Sequence, residues 1–280
     1  MRLLVTGAAG MLGRDVVEAA RDAGHEAVGL TVSDVDVVDA PVVDRALADV
    51  RPGAVINCAA FTDVDAAEER AEEALAVNGR GAGNVAVAAA GVGAAIVHVS
   101  TDYVFDGAKA APYVESDPPA PVSAYGRSKL EGERAVVAAN PRHTIVRSSW
   151  LFGVGGSNFV ATMLRLGAER DEVRVVTDQV GCPTFTRHLA RALVELTQRQ
   201  APGVLHVAGA GWCSWHDFAI EIFREARIDC RVEPATTAEL GRPAPRPAYS
   251  VLVSERPDAP RLPSWRDGLA EYLAAREVPA

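Results

Sequence analysis

A chain of 280 residues, 49% of them hydrophobic, holds enough apolar surface for one large domain or two small ones. A net charge of −9 argues against nucleic-acid binding as the main task. It leaves anionic ligands open, because local backbone amides and a few arginines hold a phosphate inside an acidic protein. Cys58, Cys182, Cys213 and Cys230 show no paired spacing, so neither a disulfide framework nor a zinc site is expected, and a reducing compartment suits them. The chain opens directly on strand-like MRLLVTG, with no targeting segment and no apolar run long enough to span a bilayer. A soluble, cytoplasmic protein without membrane association is the expectation.

Residues 2–6, RLLVT, form an apolar run closed by glycine, as a buried parallel strand does. GAAGMLG follows, with Gly7, Gly10 and Gly13, and then helical sequence to about Ala23. Strand, glycine turn and helix in that order make a phosphate-binding fingerprint: glycines let the backbone approach a pyrophosphate whose charge sits at the helix N-terminus. EAVGLT (26–31) reads as the second strand, and VDVVDA after it supplies Asp36, Val37 and Asp39 near the adenosine half of a dinucleotide. Asp39 is read as the N-cap of the next helix and Asp36 as a flank of the adenine. Thr31, Val32 and Ser33 offer no arginine for a 2′-phosphate.

GAVINCAA (53–60) is a third strand, ending in small residues where a backbone approaches a ligand. Residues 64–76 read as an acidic helix and 78–90 as an apolar one. AAIVHVSTD (94–102) is a further buried strand that ends in Ser100, Thr101 and Asp102. Ligands of open α/β sheets bind at such carboxyl ends, although a strand-end threonine is often only a cap. Residues 106–124 read as a loop.

YGRSKLEGE (125–133) reads as helix and places Tyr125 four residues before Lys129, on one face. A cation beside a phenol pulls its pKa below the usual value of about 10. A phenol tuned this way can deliver a proton to a carbonyl oxygen. Alone, the pair is equally compatible with a surface helix. HTIVRSSWLFG (143–153) is the next strand, and the alternation so far argues for an α/β protein with a doubly wound parallel, Rossmann-like sheet. Beyond it, helical NFVATMLRLGAERD, VRVVTDQVGCPTF, another helix, GVLHVAGAG, a proline-dense run and a last helix ending near Arg276 read as a smaller, mixed substrate-binding lobe. The division expected is 1–150 for the dinucleotide domain, completed by parts of 170–210, and 151–280 mainly for substrate.

Glycine fingerprint, strand-end threonine and YxxxK, in this order, resemble the short-chain dehydrogenase/reductase superfamily in its extended, sugar-nucleotide branch. NCAAFTDVDAAE, VHVSTDYVFDG, RSSWLFG, DQVGCPT and the RP segment near Arg246 are similar to the dTDP-4-dehydrorhamnose reductase family, over essentially the whole chain. That resemblance implies hydride transfer from NADPH, with NADH also accepted, to C4 of a dTDP-4-keto-6-deoxyhexose, giving dTDP-L-rhamnose. It further implies Tyr125 as proton donor, Lys129 as the residue that orients the nicotinamide ribose and tunes Tyr125, and Thr101 as a hydrogen-bond partner of the carbonyl. Gly7, Gly10, Met11, Leu12, Asp36, Val37, Ala59, Ala60 and Thr62, with Tyr125 and Lys129, match cofactor contacts. Thr101, Asp102, Tyr103, Trp150, Asn158 and Arg246 match the sugar site, Trp150 as a flat wall and Asn158 as a polar contact. Asp178–Gln179 read equally as site or turn, and His98 and His188 as structural.

Some members of the family pair through glutamates that bind a divalent metal. Position 15 here is Asp, and Arg187 and His188 replace an acidic partner, so no metal is expected, and a monomer or weak homodimer is. A dehydratase of this branch needs an Asp-Glu pair after the threonine, whereas Asp102 is followed by Tyr103. Another dTDP-4-keto-6-deoxyhexose reductase of antibiotic sugar synthesis shares the chemistry. A non-catalytic regulator of the same fold, like the beta subunit of methionine adenosyltransferase, is disfavoured by the retention of both Tyr125 and Lys129.

Overall fold

The computed structural model describes residues 1–199 and 201–277. Its central sheet is built from β1 (Arg2–Thr6), β2 (Glu26–Leu30), β3 (Ala54–Asn57), β4 (Ala95–Thr101) and β5 (His143–Ser148). Helices α1 (Met11–Asp22), α2 (Ala40–Val50), α3 (Ala66–Glu69), α4 (Ala71–Leu75), α5 (Ala82–Gly91) and α6 (Ala124–Ala139) lie between them in sequence. The remaining elements are β6 (Leu151–Phe152), α7 (Phe159–Glu169), β7 (Glu172–Val176), β8 (Val180–Gly181), β9 (Thr184–Phe185), α8 (Thr186–Leu196), β10 (Gly203–His206), β11 (Cys213–Ser214), α9 (Trp215–Ala226), β12 (Arg231–Ala235), α10 (Thr237–Leu240) and α11 (Trp265–Glu277).

The sheet is six-stranded, in the order β10-β5-β4-β3-β1-β2, and every pairing is parallel. Central strands buried on both faces are mainly apolar, and β3 is buried throughout, with only its last residue, Asn57, polar and bonded to Thr6 and His98. One face is covered by α1 and α8, through Leu12, Val16, Leu189 and Leu193. The other is covered by α2, α5 and α6, through Val43, Leu47, Val85 and Val136. The order reverses between β1 and β3, which opens a crevice at their carboxyl ends, the usual ligand site of such sheets. The doubly wound expectation therefore holds, and β10 and α8 complete the sheet from the second half of the chain.

A third core gathers Phe152, Phe185, Phe218, Trp265 and Tyr272 from β6, β9, α9 and α11. Around it lie three two-stranded sheets, β6 with β9, β7 with β12 and β8 with β11. Helix α9 has no counterpart in the expectations above. Its signal was present: Ser214 and Asp217 form a reciprocal capping box ahead of an amphipathic stretch.

Two boundaries differ from the sequence reading. The helix expected over 64–76 is broken at Arg70 (φ −117°, ψ 43°) into α3 and α4, and a π turn over Ala76–Gly81 leads into α5. Asn78 explains the turn: its buried amide bonds Phe61 N (2.8 Å), Phe61 O (3.0 Å) and Ser128 Oγ (2.9 Å), so the backbone widens to admit these partners. The single strand expected over 143–153 ends at Ser148. Trp150 takes φ +49°, a left-handed conformation rare for a bulky residue, and the chain leaves the main sheet there to form β6.

Candidate active site

The crevice begins at Gly7. Its φ of +68° favours glycine, and a Cβ there would stand 2.7 Å from Ala59 N, so the ends of β1 and β3 meet without side chains between them. Gly10 caps α1 with no side-chain hydrogen bond, which leaves the Met11 and Leu12 amides directed out of the helix N-terminus. Ala59 and Ala60 line the opposite lip, half-buried, and Thr62 is exposed beyond them. This floor fits a dinucleotide diphosphate: an uncapped helix end, a glycine turn and small residues opposite. Farther out, Val37 packs into the core beside Gly81, and Asp36 is exposed, accepting from Val38 N at 3.0 Å. Asp39 caps α2 as expected, accepting from Val42 N.

Helix α6 starts at Ser123, which accepts from Gly126 N, while Glu68 accepts from Ala124 N at 2.7 Å. A Cβ at Gly126 would lie 2.2 Å from Tyr103 O, so the first turn is pressed against the chain leaving β4. Tyr125 thereby lies next to Thr101 and meets Tyr103 edge-on, with ring centroids 5.6 Å apart. Thr101, Tyr125 and Lys129 thus stand together at the carboxyl end of β4.

The electrostatics differ from the expectation in one respect. Lys129 was to draw the phenol of Tyr125 below its usual range. Instead, burial pushes that phenol up to about 12, opposed by the neighbouring Thr101 hydroxyl, and the charge of Asp102 adds to the rise. The Lys129 ammonium is buried and donates to Val99 O at 2.7 Å, so its charge is directed at the strand. Burial brings Lys129 down to about 8, opposed by Glu133 and Cys58. Among the described residues one of its three protons is bonded, which leaves two able to bond ribose hydroxyls.

The sugar-site expectations are altered in detail. Asp102 is 2% exposed and lies behind Thr101, so it is not at the surface of the cleft. Thr101 Oγ1 donates to it at 3.0 Å, Ser250 Oγ at 2.5 Å and Ser149 Oγ at 3.2 Å. Trp150 is not a free wall. One face of its indole stacks on Trp215, and Gly181 lies against the ring, where a Cβ would come within 2.4 Å of Cε2. Asn158 caps α7 and donates to Gly153 O and Gly156 O, so its amide is used within the chain. Arg246 forms a two-pronged pair with Asp65 at 3.0 Å for each contact and also donates to Ala244 O. Asp178 and Gln179 both bond Thr237 at the start of α10, which is a turn-and-cap role.

Asn78, Ser149, Ser250 and Asp65 were not singled out from sequence. Asn78 alone left a trace, a polar side chain ahead of an apolar helical run; the others are ordinary residues whose partners lie far along the chain.

A family model described as the RmlD substrate binding domain matches residues 1–278. The chain belongs to the RmlD family. The dTDP-4-dehydrorhamnose reductase of Mycolicibacterium smegmatis is 44% identical to it, over 98% of this chain and 85% of that protein. A probable dTDP-4,6-dihydroxy-2-methyloxan-3-one 4-ketoreductase of Streptomyces antibioticus is 42% identical, over 100% of this chain and 98% of that one. Among solved structures, the Bacillus anthracis dTDP-4-dehydrorhamnose reductase in complex with NADP superposes with a TM-score of 0.95 at 39% identity, covering 98% of this chain and 99% of that one. Membership in the RmlD family accords with an NAD(P)H-dependent oxidoreductase on a Rossmann-like sheet. No helix among the described residues is long and apolar enough to cross a membrane.

Proposed function

We propose that the chain reduces dTDP-4-dehydrorhamnose to dTDP-L-rhamnose with NADPH, and with NADH as a second donor. The observation that carries this reading is the convergence of Thr101, Tyr125 and Lys129 at the carboxyl end of β4, beside the glycine turn. Residues 1–150, with β10 and α8, hold the cofactor in this reading, and 151–280 mainly form the sugar lobe. The four free cysteines suit a cytoplasmic site of action.

The Met11 and Leu12 amides would take the cofactor diphosphate, and Lys129 the nicotinamide ribose. When bound, the cofactor supplies the hydride to C4. The ketone oxygen then gains negative charge, which a proton must quench. Tyr125 is suited to this because its raised pKa keeps it a phenol at neutral pH, while an alkoxide is a stronger base than the phenolate left behind. Thr101 lies beside that phenol. Lys129, brought down to about 8, still carries its charge at neutral pH and, bonded to Val99 O, is placed to hold the ribose.

The Streptomyces antibioticus relative supports a second reading, a 4-ketoreductase acting on another dTDP-keto sugar. The same experiment tests both: oxidation of NADPH with dTDP-4-dehydrorhamnose, followed by identification of the product by NMR. Formation of dTDP-L-rhamnose is the expected result; turnover only of other keto sugars favours the second reading, and no turnover of any overturns both.

A further inference from the structure

We propose that Asp65 is a positioning residue for the sugar nucleotide: its carboxylate fastens residues 242–250 along the crevice and so sets the wall that the sugar nucleotide meets. This rests on the proposed reduction of a dTDP-keto sugar.

Asp65 stands at the N-cap position of α3, yet its side chain caps no amide of that helix. Asp63 bonds the helix instead, accepting from Ala66 N at 2.9 Å. The Asp65 carboxylate serves a distant segment. Its Oδ1 accepts from Arg246 Nη1 at 3.0 Å and from Ala244 N at 3.1 Å. Its Oδ2 accepts from Arg246 Nη2 at 3.0 Å and from Arg242 Nη1 at 3.3 Å. A forked pair of this kind fixes orientation as well as distance. The Arg246 guanidinium holds the carboxyl below its usual range, so Asp65 is ionised at neutral pH. Pro243, Pro245 and Pro247 alternate with the anchored residues, and their fixed φ angles carry the anchored geometry along the segment.

The same segment passes the candidate catalytic centre. A Cβ at Gly107 would stand 2.5 Å from Pro247 Cα, and Tyr249 N donates to Gly107 O at 3.3 Å, so the loop after β4 lies against it. Ser250 Oγ donates to Asp102, the neighbour of Thr101. Val180 N donates to Ala248 O at 2.9 Å, and Ser250 N donates to Val180 O at 2.8 Å. Gly181, the next residue of β8, lies against the Trp150 ring. Residues 242–250 therefore run from the lip beyond β3, past the end of β4, to the strand packed on Trp150. Glu68, in the same short helix that Asp65 precedes, accepts from Ala124 N at the start of the Tyr125 helix. Asp65 thus ties the sugar side of the crevice to the frame that carries Tyr125, from a place outside the reacting centre.

The test is Asp65→Asn, which keeps the shape and removes the charge, read in two ways. Hydrogen exchange with mass spectrometry reports on the segment without substrate. Amides of residues 244–253 should exchange about tenfold faster than in the parent, the scale of a lost hydrogen bond to a charged group. Steady-state reduction of dTDP-4-dehydrorhamnose by NADPH should show KM for the sugar nucleotide raised about tenfold. The kcat and the NADPH affinity should stay close to those of the parent. Unchanged exchange overturns the proposal. So does an unchanged KM, and so does a parallel fall of kcat and NADPH affinity, which would make Asp65 a fold residue of α3. If Asp65→Asn does not fold, Arg246→Lys keeps a charge but cannot form the fork. Exchange over the same residues should then rise, and an unchanged rate overturns the proposal. Failure of the underlying reading is distinct: the parent itself would not turn over dTDP-4-dehydrorhamnose, while the difference in exchange would stand.

Discussion

Trp150 lies flat on Trp215, with ring centroids 3.5 Å apart and planes 3° from parallel. The left-handed backbone at Trp150 turns its indole out of the main sheet onto the start of α9. The pair therefore joins the strand that leaves the catalytic centre to the lobe proposed to hold the sugar. Aromatic pairs contribute about 1 kcal/mol beyond their buried area. Replacing each by leucine, singly and together, should give a coupling of about that size in denaturant unfolding. Additive losses would mean that the stack contributes nothing of its own.

Tyr125→Phe removes one hydroxyl from a residue whose ring still packs against Tyr103. Folding and NADPH affinity should survive, and the turnover rate should fall about a hundred- to ten-thousandfold. Steady-state kinetics beside a cofactor titration checks this. Turnover within a few-fold of the parent would pass the proton-donor role to another group.

Lys129 also reports through stability. Its folded pKa is depressed to about 8 from the ordinary 10.5 by burial, so the unfolded chain binds the proton more readily. Stability from this group is therefore present above the ordinary value and is lost as pH falls through the folded one. At pH 7 the buried charge costs up to about 3 kcal/mol. Lys129→Met should be more stable than the parent at pH 7, and the gain should shrink toward about pH 10. Its activity should fall at the same time. Denaturant midpoints at the two pH values decide it, a gain independent of pH being the contrary result.

In the proposed reading, nucleotide choice turns on the end of β2. Asp34 folds back there, its Oδ2 accepting from Thr31 N at 2.8 Å and from Thr31 Oγ1 at 2.7 Å. A carboxylate in this place opposes a 2′-phosphate without excluding it. Both NADPH and NADH should serve, with kcat/KM values within about a thousandfold of each other. Asp34→Asn should shift the ratio a few-fold toward NADPH, and an unchanged ratio would remove Asp34 from the selection.

Residue patterns alone carried the fold class. Strands buried on both faces are mainly apolar, so β1, β3 and β4 announce a parallel sheet locally. The glycine turn and the spacing of Tyr125 and Lys129 are likewise short-range features, readable wherever a strand leads into a helix. What surrounds these residues was not readable, because burial and hydrogen bonding depend on segments far apart in the chain. Asp65 meets Arg246 across 181 positions, and Asp102 meets Ser250 across 148. Lys129 and Tyr125 share a helix face, yet Val99 O draws the ammonium toward β4, and the charge that acts on the phenol is that of Asp102. Sequence spacing placed the acid beside its cation; only the tertiary structure decided which charge acts on it, since a field in a buried site is set by distance and desolvation and not by separation along the chain.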